Sequence, residues 1–124
     1  MADLYIAKTK NSPMIQVDRT KGIITIKGSS IPEDAVSFYE PLLTEVKKYC
    51  QNPKNTTVNM DLPYYNSATS RIFQSLFKLL ADLMSMGIEV NVNWYYDPDD
   101  EDFKDAANVY QTLTKIPFTL VERE

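Results

Sequence analysis

The residues in this chain best suited to chemistry lie together, in the stretch PYYNSATSRIF over positions 63 to 73. Asn66, Ser67, Thr69 and Ser70 place an amide and three hydroxyls between a short apolar strand pattern and a strongly amphipathic helix pattern. Side chains of this kind before an apolar helix ordinarily cap it. The same position suits a phosphoacceptor, because a phosphoryl group there meets unpaired backbone N–H groups and the positive end of the helix dipole. It would add about −1.5 to −2 charges at neutral pH and alter a binding surface without breaking the fold. The two readings are compatible, since a residue at a helix start can also be a target.

Little else competes. The chain has no histidine, which removes the commonest general base and metal ligand and any Ser-His-Asp or Cys-His arrangement. Its three glycines form no phosphate-binding loop, and the net charge of −4 argues against a nucleic-acid footprint. No cofactor is implied. The single cysteine, Cys50, excludes an intrachain disulfide, fits a reducing compartment and has no resolving partner. The acidic run Asp97, Asp99, Asp100, Glu101, Asp102 lacks the glycine and spacing of a Ca²⁺ loop and reads as a solvated helix start. A small enzyme built on carboxylates such as Asp61 stays open as an alternative, as does a constitutive interaction domain that docks a partner on an open sheet face or helix edge. No segment resembles a signal peptide or reaches membrane-spanning length, so a cytoplasmic protein is expected.

The elements that must position these residues are legible as patterns. Residues 14–18 alternate with Ile15 and Val17 on one face; a turn ending at Gly22 leads to a strand over 23–27, so a hairpin is expected. Ser30 and Glu33 match a capping box for a helix carrying Phe38, Leu42, Leu43, Val46 and Tyr49, with Pro41 expected to kink or split it. A strand follows over 56–62. A long helix runs from about Ser67 to Met86 and stops at Gly87, and a strand covers 88–96. Asp97 and Pro98 are expected to open a third helix reaching about Leu113, before a last strand over 117–122.

The order β-β-α-β-α-β-α-β favours parallel neighbours joined by right-handed crossovers. Strands buried on both faces read as continuous apolar runs. Those at 56–62 and 88–96 instead each show a polar face, so the helices should cover mainly one side of a mixed sheet. The expectation is a single-domain, two-layer α/β (α+β) sandwich over residues 1–124.

Turning the long helix at about 100° per residue puts Ile72, Phe73, Leu76, Phe77, Leu80, Leu83 and Met84 on one side. Arg71, Gln74, Lys78, Asp82 and Ser85 fall on the other. Extended backwards, Thr69 falls on the core side, Ser70 at the margin and Ser67 in the middle of the wet side. Ser67 is therefore the hydroxyl offered to a partner. Of the aromatic residues near the helix starts (Tyr64, Tyr65, Trp94, Tyr95, Tyr96), Tyr65 and Tyr95 are expected to be exposed anchors.

The segment YYNSATSR resembles the phosphoacceptor motif of the SiaC-type regulatory phosphoproteins. GSSIPEDAVSFYEPLL, VNVNWYYDPDDED and IPFTLVE are similar to further segments of that family, in the same order. The resemblance covers nearly the whole chain. It implies a STAS-like fold, with Ser67 as phosphoacceptor and Tyr64, Tyr65, Asn66, Ala68, Ser70 and Arg71 around it as the partner-binding residues. It also implies an anti-sigma-like Ser/Thr kinase, a PP2C-type phosphatase, and an effector such as a diguanylate cyclase in c-di-GMP signalling and biofilm control. Against the family motif, Ser67 stands for Thr, Ala68 and Thr69 for Ser, and Arg71 for Lys; the hydroxyl is kept at the acceptor.

Overall fold

The computed structural model describes residues 3–123. The chain forms β1 (Leu4–Ile6), β2 (Met14–Asp18), β3 (Ile23–Lys27), α1 (Ala35–Tyr49), β4 (Thr56–Asp61), α2 (Ser67–Met84), β5 (Val90–Tyr96), α3 (Glu101–Thr114) and β6 (Phe118–Glu122). The six strands make one sheet in the order of the sequence, with β1, β2 and β3 antiparallel and β3 to β6 parallel. Each parallel step moves in the same direction across the sheet. With crossovers of one hand, every helix then lands on the same face.

The register separates the two faces. Leu4, Val17, Ile24, Val58, Val92 and Phe118 form a row across the sheet toward the helices, and the central four are buried. The neighbouring row, Tyr5, Gln16, Thr25, Asn59, Asn93 and Thr119, points the other way and stays partly or fully exposed. Side-chain hydrogen bonds run along this open face. Asn59 donates to Thr25 (3.4 Å), Asn93 to Asn59 (2.9 Å), Asn91 to Asn93 (3.2 Å) and Thr119 to Asn91 (3.2 Å). The polar alternation in β4 and β5 thus marks a solvated face.

Strand β1 was not expected. Three residues are too few to show a period, and the strand exists because β2 offers an edge to which Leu4 and Ile6 can add. Two helix starts and the course of α1 also differ from the sequence reading. Asp34, not Ser30, caps α1, accepting from the Ser37 N–H (3.1 Å) and hydroxyl (2.9 Å); the backbone bond holds the exposed Asp34 carboxyl below its usual pKa. Helix α1 is not split: Pro41 sits inside it, with its ring on the exposed side. Asp100, not Asp97, caps α3, accepting from the Phe103 N–H (2.9 Å), because Asp97 instead closes a turn through its carbonyl and pairs with Arg123 (3.3 Å). The stop at Gly87 has the expected chemistry. After Met84 the chain turns on to Gly87 at φ +86°, Gly87 N–H bonds to Met84 C=O and Ile88 N–H to Leu83 C=O.

Candidate phosphoacceptor site

Strand β4 delivers the motif to the C-terminal edge of the parallel strands. After buried Leu62 the chain leaves the sheet, and a single parallel bridge joins Tyr65 to Ser30 in the β3–α1 loop. Ser30 N–H donates to Tyr64 C=O (2.9 Å), and Asn66 N–H donates to Ser30 C=O (3.1 Å). The segment entering α2 is therefore stitched to the segment entering α1. Asn66 caps α2: its side-chain oxygen accepts from Thr69 N–H (2.9 Å) and its carbonyl from Ser70 N–H (3.0 Å).

The three hydroxyls that follow meet different fates. Thr69 is fully buried, and its Oγ1 lies 2.8 Å from the Ser30 hydroxyl, which lies 2.6 Å from the Tyr39 hydroxyl of α1. Ser30 and Tyr39 are also fully buried, and burial pushes the Tyr39 phenol up to about 12 despite its hydrogen-bonded neighbours. Ser70 is half-buried and bonded to the Tyr110 hydroxyl of α3 (2.9 Å). Ser67, the first residue of α2, is exposed and is the one of these three hydroxyls with no hydrogen-bond partner among the described residues. The first turn of α2 is thus tied to α1 through Thr69 and to α3 through Ser70, with Ser67 facing water between them.

The flanking residues divide in the same way. Arg71 is exposed, while Ala68 and Asn66 are half-buried. The exposed tyrosine is Tyr64 (58%), not Tyr65. Tyr65 is half-buried, with its ring 5.2 Å from Phe73, 5.3 Å from Phe103 and 6.2 Å from Trp94. Its phenol is pushed upward by burial and then by the Tyr110 hydroxyl. Tyr95 is half-buried on the open sheet face. Two exposed apolar side chains that the helical pattern did not single out, Ile31 (40%) and Val36 (69%), come from the β3–α1 loop and the first turn of α1.

The carboxylate candidate has another occupation. Asp61 accepts from Arg123 through Nε (2.9 Å) and Nη2 (2.5 Å), joining the ends of β4 and β6. A concavity of about 580 Å³, open to solvent, lies at the opposite edge of the sheet around Asn55, Gly87, Glu89 and Pro117. Cys50 is half-buried and its thiol is pushed up by burial and by Asp82. Ser30, Tyr39 and Tyr110 are the site residues that sequence reasoning missed. Ser30 carries a capping signal instead, and neither Tyr39 nor Tyr110 is singled out by the helical patterns.

The described residues define a mixed α/β protein of six strands and three helices, with Ser67 exposed at the start of α2. The family described as SiaC family regulatory phosphoprotein matches residues 6–123, and the chain belongs to it. It is accordingly a regulatory protein, not an enzyme. A protein of Pseudomonas aeruginosa (strain UCBPP-PA14) described as uncharacterised is 24% identical over 121 residues, covering 97% of this chain and 96% of its own. Two solved structures share the fold. SiaC as seen in the crystal structure of the diguanylate cyclase SiaD with its activator SiaC, from Pseudomonas aeruginosa, has a TM-score of 0.91 at 23% identity, covering 98% of this chain and 100% of its own. SiaC of Pseudomonas aeruginosa has a TM-score of 0.89 at 22% identity, covering 99% and 100%. Among the described residues no helix is long and apolar enough to cross a membrane.

Proposed function

We propose that this protein is a cytoplasmic, phosphorylation-switched binding protein whose acceptor is Ser67. The observation that carries the reading is the contrast within the motif: Thr69 and Ser70 are hydrogen-bonded into the fold, whereas the Ser67 hydroxyl is exposed and unpaired among the described residues. A Ser/Thr kinase of the anti-sigma-like type transfers the γ-phosphoryl of ATP to Ser67 Oγ; the P–O bond to ADP breaks and the serine proton passes to the kinase base. A PP2C-type phosphatase returns the hydroxyl by hydrolysis. The unmodified surface, with Tyr64, Tyr65, Asn66, Ala68, Ser70 and Arg71 around Ser67, docks an effector. Membership of a regulatory phosphoprotein family supports the switch. The solved complex of a fold neighbour with a diguanylate cyclase supports a cyclase as the effector class.

The test is phosphosite mapping of the protein and of Ser67→Ala after expression in the source cells, with and without PP2C phosphatase treatment. One phosphoryl adduct on Ser67, absent from Ser67→Ala and removed by the phosphatase, is expected. An adduct on another residue, or unchanged phosphorylation of Ser67→Ala, overturns the assignment. A constitutive binder would show the same partner capture for wild type and Ser67→Glu.

A further inference from the structure

The chain has three arginines, and two are committed. Arg19 pairs with Glu45 (2.9 Å) and Asp3 (3.5 Å), and Arg123 with Asp61 and Asp97. Arg71 is exposed and forms no salt bridge among the described residues. It stands four residues after Ser67 in the continuous helix α2, and both side chains face solvent. Residues at that spacing lie one turn apart on the same face, with their Cβ atoms about 5–6 Å apart, and opposite charges so placed attract, more strongly when the acidic partner comes first.

We infer that Arg71 is the intramolecular counter-ion of phosphorylated Ser67. This rests on the acceptor assignment above and goes beyond it. In the unmodified protein Arg71 is a free cation on the docking surface. Phosphorylation adds a dianion at position 67 and withdraws that cation into an intrahelical pair, so one modification changes two residues of the surface. The other charged groups at this edge are mostly acidic: Glu33 and Asp34 before α1, and Asp97, Asp99, Asp100, Glu101 and Asp102 at the start of α3. Arg123 is occupied by Asp61 and Asp97, Lys27 closes β3, Lys8 and Lys10 lie in the β1–β2 loop at the same edge, and Lys104 lies over the Tyr96 ring. The carboxylates repel a phosphate in every variant of α2, so their effect cancels when Arg71 alone is changed.

The experiment installs phosphoserine at position 67 by genetic-code expansion, which needs no kinase, and follows the phosphate by ³¹P NMR across pH 4–9. The second phosphate ionisation, ordinarily near pH 6, should lie about 0.3 of a unit lower in wild type than in Arg71→Ala, the equivalent of a helical ion pair. Arg71→Lys should recover most of the shift, and 1 M salt should erase it. Equal phosphate pKa values in wild type and Arg71→Ala overturn the pairing. Should no kinase ever modify Ser67, the functional reading falls while this measurement still decides whether the pair forms.

Discussion

Removing the Ser30 hydroxyl should destabilise the protein in a way that a second mutation cancels. The arrangement that gives all three hydroxyl hydrogens an acceptor has Thr69 donating to the Ser30 carbonyl (3.4 Å), Ser30 to Thr69 Oγ1 (2.8 Å) and Tyr39 to Ser30 Oγ (2.6 Å). Tyr39→Phe deletes a donor and leaves Ser30 still donating, a loss of about 1 kcal/mol for one hydrogen bond. Ser30→Ala deletes the acceptor of Tyr39 and strands a fully buried phenolic O–H, which costs about 1–3 kcal/mol beyond the lost hydrogen bond. In the Ser30→Ala background, Tyr39→Phe removes the stranded donor. The double variant should therefore be no less stable than Ser30→Ala alone. Urea unfolding followed by the fluorescence of Trp94, the single tryptophan and fully buried, provides the free energies. Strict additivity of the two mutations, within about 0.5 kcal/mol, would refute the coupling of the two buried hydroxyls.

Three further outcomes follow from the same structure. The Tyr39 phenol titrates near 10 unfolded and about 12 folded, so between those values the folded state holds a proton the unfolded state has lost. Tyr39 alone should lower stability by about 2–3 kcal/mol as pH rises from 10 through 12, on top of a fall of the same sign from the raised Tyr65 phenol, and Tyr39→Phe should remove the Tyr39 part of the slope in unfolding measured at each pH. Pro41→Ala restores an N–H for the Ser37 carbonyl inside α1 and should raise stability by about 1–2 kcal/mol, seen as a higher urea midpoint. Gly22→Ala meets a backbone at φ +70° and puts a Cβ 2.4 Å from the Asn55 carbonyl oxygen, so it should cost more than about 2 kcal/mol, read from thermal melting.

The parts legible in the sequence were those set by local periodicity. The alternation of Val58, Met60 and Leu62 with Thr57, Asn59 and Asp61 gave both a strand and a solvated face, and the buried stripe Ile72 to Leu83 placed Ser67 outside and Thr69 inside. What stayed illegible depends on partners distant in the chain. Ser30 carries a local capping signal, yet its hydroxyl is claimed by Tyr39 and Thr69, and the cap passes to Asp34. In the acidic run several residues can each cap a helix, and the choice of Asp100 follows from Arg123 holding Asp97. Tyr64 and Tyr65 are adjacent and chemically alike, and only the packing of Phe73, Phe103 and Trp94 decides which one turns inward. Strand β1 has no signal of its own and forms on the edge of β2.

The most direct test of the account is the affinity of the protein for a diguanylate cyclase from its own source, measured by calorimetry with unmodified protein and with phosphoserine installed at position 67. The account predicts that the unmodified protein binds and raises cyclase activity, and that the phosphorylated form binds at least tenfold more weakly. Equal affinity of the two forms would contradict it.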